Sequence, residues 1–162
     1  MELSKIIIEQ ADRYDIDAIL PLMDEVADKH GENRSDILKE HPRHIDKNKL
    51  NHLLCDKMHF ILIAKHEGEV IGVMNCKIKD IRDDLKYKNC NIVQIEDTCV
   101  SKKFKHAGVG TLLLEKAVLL AKENDCTRIE TTVWEFNDES FGYFQSNKFK
   151  VQRYIMERNL YE

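Results

Sequence analysis

The sequence predicts an α/β (α+β) fold: a mixed, partly antiparallel central sheet flanked by helices, in the order β-α-α-β-β-β-α-β-α-β. Three observations carry this. Short β-rich runs alternate with longer stretches whose apolar residues recur at helical spacing. The segment "HEGE" joins two β-rich runs as a hairpin turn. One later helix, "TLLLEKAVLLAKEN", is apolar nearly all round and needs a sheet to lie against.

Each element has its own signal. "KIIIEQA" is a short β-rich run and opens the chain as a strand. In "YDIDAILPLMDEVADKHG", Ile16, Ile19, Leu20, Met23, Val26 and Ala27 share helical spacing. Gly31 fits the helix end, and Pro21 lies early enough to be tolerated or to bend the helix. "ENRSDILKEHPRH" has no clean period and reads as a loop with room for a short helix. "DKNKLNHLLCDKM" is a second, short helix with Leu50, Leu53 and Leu54 inward. "HFILIAKHEGEVIGVMNCKIKD" is two strands turned at Gly68, "DDLKYKN" is a polar loop, and "NIVQIEDTCV" is a strand ending at Val100. The helix from Gly108 to Asn124 has a polar stripe of only Thr111, Glu115, Lys116, Lys122 and Glu123. "TRIETTVWEF" is the next strand, and "NDESFGYFQSNK" is a short helix opened by Asn137 or Asp138. "FKVQRYIMERNL" is a final strand. No repeat or linker interrupts the chain, so a single domain over 1–162 is expected.

Composition excludes several classes. With 43% hydrophobic and 33% charged residues the chain is not expected to be disordered, and no apolar run approaches the roughly 20 residues that a membrane span needs. The start, "MELSKIIIEQADRYD", has no signal-peptide pattern, so a cytoplasmic location is expected. Five cysteines form no CxxC pair, which argues against a zinc knuckle or a dithiol centre, and no metal is expected. The net charge of −4 falls entirely within residues 1–50, with twelve acids against eight Lys/Arg. That balance argues against nucleic acid as a partner and leaves room for a cationic ligand beside the N-terminal third. A monomer or homodimer is expected.

The stretch "FKHAGVGT" follows a strand and opens a helix. Unpaired N–H groups and the positive end of the helix dipole attract anions at such a place. Gly108 and Gly110 lack a Cβ, which lets a bulky phosphate approach the backbone. Lys102, Lys103, Lys105 and His106 add positive charge. The glycines alone equally suit a mere strand–helix turn, and the segment is neither a P-loop nor the dinucleotide fingerprint.

Context adds to this. The pattern Lys105-His106-Ala107-Gly108-Val109-Gly110 follows "IEDTCV". About 27 residues beyond Gly110 come Asn137, Ser140, the pair Tyr143-Phe144 and then Phe149. Over residues 92–160 the chain resembles the GNAT superfamily of N-acetyltransferases, which use acetyl-CoA. Two positions depart from that family's pattern: Lys105 replaces the usual Arg or Gln, and the later motif has Ser140 for Ala and Phe144 for Tyr. The resemblance implies that backbone groups around Cys99 and Val100 meet the pantetheine arm. It implies that residues 105–110 and Thr111 hold the pyrophosphate. Asn137 and the helix 138–147, with Ser140 and Phe144, would lie along the pantetheine and thiol.

Acetylation of an amine needs a group that removes a proton from an ammonium of pKa about 10. Strand alternation puts Gln94, Glu96, Thr98 and Val100 on one face and Ile95, Asp97 and Cys99 on the other. If the donor lies against Val100, Glu96 shares its cleft and is the leading base candidate, with Asp97 in reserve. The bland alternative is an ordinary surface carboxylate. His41 and His44 have ligand-like spacing but no third ligand, and read as loop histidines. The expected activity is acetyl transfer from acetyl-CoA to a primary amine on a small molecule or a protein. The alternative is a non-catalytic acyl-CoA-binding module, which Phe144 at the usual Tyr position favours slightly.

Overall fold

The computed structural model describes residues 5–161. The chain divides into two compact units, Met1–Thr132 and Val133–Glu162. The first contains β1 (Ile6–Gln10), α1 (Ile16–Asn33), α2 (Lys47–Cys55), β2 (His59–His66), β3 (Glu69–Ile81), β4 (Cys90–Val100), α3 (Val109–Glu123) and β5 (Cys126–Thr131). The strands form one sheet in the order β1-β2-β3-β4-β5. The first three pairings are antiparallel and β4–β5 is parallel, with α3 as the crossover. This is the mixed sheet with flanking helices that the sequence predicts.

Two layers cover the sheet. Ile16, Ile19 and Met23 of α1 and Leu50 of α2 pack with Ile61, Ile63, Val73 and Cys99 on one face. On the other face, α3 buries Val109, Leu113, Leu114, Ala117 and Ala121. The approach there is close. A Cβ on Gly72 would lie 3.2 Å from Val109 Cγ1 and 3.3 Å from Leu113 Cδ1. The β2–β3 turn uses Glu67 and Gly68 at φ +52° and +83°, the paired left-handed conformation that matches strand twist in a two-residue hairpin.

The loop between α1 and α2 is tied down at three points. Gly31 does not end α1, which runs on to Asn33. Its lack of a side chain instead lets the loop touch the helix, since a Cβ there would sit 2.6 Å from Pro42 Cδ. Arg43 bridges to Asp24 at 3.2 Å and Asp28 at 2.9 Å. Ile45 is buried in the core. Asp46 then caps α2, accepting from the Lys49 N–H at 2.7 Å.

The second unit holds α4 (Asp138–Ser146). Asn137 is its N-cap and accepts from the Ser140 N–H at 3.3 Å. Phe144 is buried, with ring centroids 4.8 Å from Tyr143 and 5.0 Å from Phe149. Two expected strands differ here. β5 stops at Thr131 rather than at Phe136, and the Asn137 N–H bonds back to the Trp134 carbonyl in a turn. Residues 149–160 join no ladder among the described residues. Their β-rich composition supplies propensity, but a strand exists only where a second edge takes up its N–H and C=O groups.

Candidate functional site at the β4 bulge

β4 is irregular at one point. Asn75 pairs with Asp97 and Cys76 with Ile95, so Glu96 is an extra residue without a cross-strand partner. This is a β-bulge, which bends a strand and re-aims its side chains. Strict alternation predicts that Glu96 and Asp97 point to opposite faces. The bulge overturns that. Asp97 shares the face of Asn75, and the Glu96 carboxylate reaches the same face, where Asn75 Nδ2 donates to its Oε2 at 3.2 Å. That is the face covered by α1 and α2, because Cys99 and Val73 lie on it.

Each carboxylate has a histidine beside it. Glu96 Oε2 lies 3.9 Å from His59 Nε2, and His59 Nδ1 is held by Asp56 Oδ2 at 2.7 Å. Asp97 Oδ1 lies 3.2 Å from His44 Nδ1. The ring of His30, on α1, is 5.4 Å from that of His44. The hydrogen bond to Asp97 raises the His44 pKa above its usual value, against burial and the charge of Lys49. Burial holds the His30 pKa down, and the charge of His44 adds to this. Burial pushes the Cys76 thiol far up, as does the Glu96 charge, so it is no nucleophile. Among the described residues no three or more His, Cys, Asp or Glu side chains are grouped to hold a metal ion.

Past the bulge the sheet opens. The β4–β5 ladder ends at Ile95–Thr131, while β4 continues to Val100. Cys99 and Val100 therefore lie on a stretch of β4 that β5 does not pair. Next come a one-turn 3-10 helix at Lys102–Phe104 and the loop into α3. Phe104 anchors this loop, its ring 5.6 Å from that of His66. His106 takes φ +60° and Gly108 φ +83°. Gly108 is the N-cap of α3 with no side-chain cap, and the first helical bond runs from the Leu112 N–H to its carbonyl. The left-handed conformation explains one glycine, since other residues rarely adopt it. Val109 turns its side chain into the core, so only its backbone faces the loop. Lys102 is drawn to Glu25 at 3.4 Å. Ala107, Gly110 and Thr111 are half-buried and His106 is exposed.

The structure thus brings Glu96, Asp97, Cys99, Val100 and the 105–111 loop onto successive segments of one unit. Asn137, Ser140 and Phe144 belong to the other unit, where Asn137 and Ser140 form the cap of α4. Sequence reasoning missed His30, His59 and Asn75, and read His44 only as a loop residue. Nothing local pointed to His44, because it lies 53 residues from Asp97.

A profile described as "Acetyltransferase (GNAT) family" matches residues 22–149. The chain is 27% identical over 122 residues to an uncharacterized N-acetyltransferase in the pepI 3' region of Lactobacillus delbrueckii subsp. lactis, covering 74% of this chain and 69% of that one. Among solved structures, a mutant of the BH1408 protein from Bacillus halodurans superposes with a TM-score of 0.90 at 21% identity, covering 95% of this chain and 99% of that one. An aminoglycoside N-acetyltransferase, AAC(6')-Iy, in complex with CoA gives 0.75 at 17% identity, with 96% and 95% covered. At these identities the structural likeness is one of fold.

Proposed function

The chain belongs to the acetyltransferase (GNAT) family, and from that premise we propose that it moves an acetyl group from acetyl-CoA to a primary amine by direct attack. The observation that carries this reading is the length of β4 beyond Ile95 that β5 does not pair, leading directly to the α3 N-terminus. The pantetheine arm of CoA carries amide groups, and an extended chain of amides adds to a strand edge as another strand would. Its pyrophosphate matches a helix N-terminus that begins on a left-handed glycine and follows a basic loop.

Cys99 and Val100 would meet the arm through their backbone. Lys105, His106, Ala107, Gly108, Val109, Gly110 and Thr111 would hold the pyrophosphate. For Asn137, Ser140 and Phe144 the reading rests on the sequence pattern alone. The carboxylates of Glu96 and Asp97 share the α1–α2 face, which makes that face the acceptor side and both residues candidates for the proton transfer. Aminoglycoside acetyltransferases among the structural neighbours make small polyamines the first acceptor class to test.

Calorimetric titration with CoA tests the donor site. The parent protein should bind CoA. Gly108→Val and Gly110→Val each place a branched side chain at the phosphate approach, and Gly108→Val also strains φ. Both variants should lose at least tenfold in affinity while remaining folded. Unchanged affinity in both would reject the loop as the pyrophosphate site.

A further inference from the structure

Glu96 and Asp97 are both candidates for moving the acceptor's proton, and their surroundings differ. We propose that His44, oriented by Asp97, is the base that takes the proton from the acceptor amine, and that Asn75, oriented by Glu96, holds that amine. This rests on the acetyl-transfer reading above.

Asn75 is only 2% exposed, and its Oδ1 has no hydrogen-bond partner among the described residues. Such an atom in a folded interior calls for an explanation. The bond from Nδ2 to Glu96 Oε2 fixes which end of the amide is the acceptor. An amine N–H is the group that Oδ1 lacks. Glu96 is thereby a positioning residue for Asn75. Directly across the β3–β4 pair from Asn75 stands Asp97.

Asp97 sets the state of His44. A carboxylate accepts, so His44 Nδ1 carries hydrogen toward Asp97 Oδ1 at 3.2 Å, and the lone pair of the neutral ring lies on Nε2. An imidazole near pKa 6.5 is better matched to neutral working pH than a carboxylate near 4. The loop bearing His44 is rigidly placed by Pro42 against Gly31, by Arg43 on Asp24 and Asp28, and by buried Ile45.

Among the described residues, charged groups from β4, α1 and α2 surround His44. From β4 come Asp97 and, next along the bulge, Glu96. From α1 comes His30, with Lys29 acting on it, and from α2 comes Lys49, whose Nζ donates to the His44 carbonyl at 3.1 Å. His59 of β2 belongs to the Glu96 arm. The His30 pKa is lowered by burial first and by charge on His44 second. The two shifts run in opposite directions, so His44 is the member of the pair that takes up a proton more readily, and its neutral form is the one that acts as base.

In the transfer, the amine nitrogen forms a bond to the acetyl carbon. The carbon–sulfur bond breaks with its electron pair going to sulfur. The proton lost by nitrogen passes to His44 Nε2 and then to water, while the thiolate takes a proton from solvent.

The test is the pH profile of kcat/KM with acetyl-CoA and a panel of sisomicin, spermidine and lysine, beside an NMR titration of the His44 imidazole. The parent should acetylate at least one member of the panel. Its rate should rise with pH through the value at which His44 titrates, above the ordinary 6.5. His44→Gln should cost 10²- to 10⁴-fold in kcat, lose that limb and keep CoA affinity. Asp97→Asn should move the limb to lower pH, because it removes the main cause of the raised pKa. A parent profile whose limb does not coincide with the His44 titration overturns the assignment, even if His44→Gln fails to fold. So does a His44→Gln profile that overlays the parent. A parent that acetylates no member of the panel instead defeats the acetyl-transfer reading, and the base assignment falls with it.

Discussion

Glu96 and Asp97 are neighbours in the chain, yet the bulge gives them different work on the same face. Glu96 fixes the Asn75 amide, and Asp97 fixes the His44 ring. Glu96→Gln keeps a hydrogen-bond acceptor but removes its charge. It should raise KM for the amine about 3- to 10-fold, the scale of a weakened charge-assisted bond, and leave the shape of the pH profile intact. A profile that loses its acid limb would instead make Glu96 the base. The Asp97–His44 pair also has a signature in stability. The folded pKa of His44 is raised, so its contribution is fully present below about 6.5 and is lost as pH rises through the folded value. Asp97→Asn should therefore lower Tm more at pH 5.5 than at pH 9. Equal losses at both would show that the ion pair does not stabilise the fold.

At the scale of elements, the existence of the helices and of the first strands was readable from period and punctuation. The reading of α3 from Gly108 to Asn124 matches a helix whose caps are those two residues. Gly31 was misread because a glycine late in a helical pattern looks the same as a stop, whether it ends the helix or admits a neighbour. Here it admits Pro42. In an open helix interior Gly→Ala gains about 1 kcal/mol. At Gly31 the added Cβ meets the proline ring at 2.6 Å and the Lys39 carbonyl at 3.3 Å, so the loop carrying His44 must shift. Thermal melts of Gly31→Ala should show no gain in Tm, and its kcat should fall with CoA affinity unchanged. A Tm raised by the helix-propensity amount, with parental kcat, would mean that the loop yields freely. The bulge in β4 was not legible, because pairing register depends on β3 and on the turn before it. The end of β5 at Thr131 was hidden for a related reason: "TTVWEF" has strand composition whether or not a partner is present.

Across the whole molecule, acid–base groups gather where the sheet departs from regularity. α1, the loop after it, β2 and β3 each supply one member, His30, His44, His59 and Asn75, and β4 supplies the two carboxylates. They are scattered over some seventy positions of sequence, and only the folded sheet brings them to one face. The glycine loop, by contrast, is contiguous, so the proposed donor side could be picked out from one stretch of sequence while the proposed acceptor side could not. The account holds that a donor bound at the loop meets an amine at the bulge. The most direct test is release of free CoA thiol from acetyl-CoA by the purified protein, with and without sisomicin, spermidine or lysine. The account predicts thiol release that depends on an amine and equals the acetylated amine formed. CoA binding without amine-dependent thiol release would contradict it and make the protein an acyl-CoA-binding module of this fold.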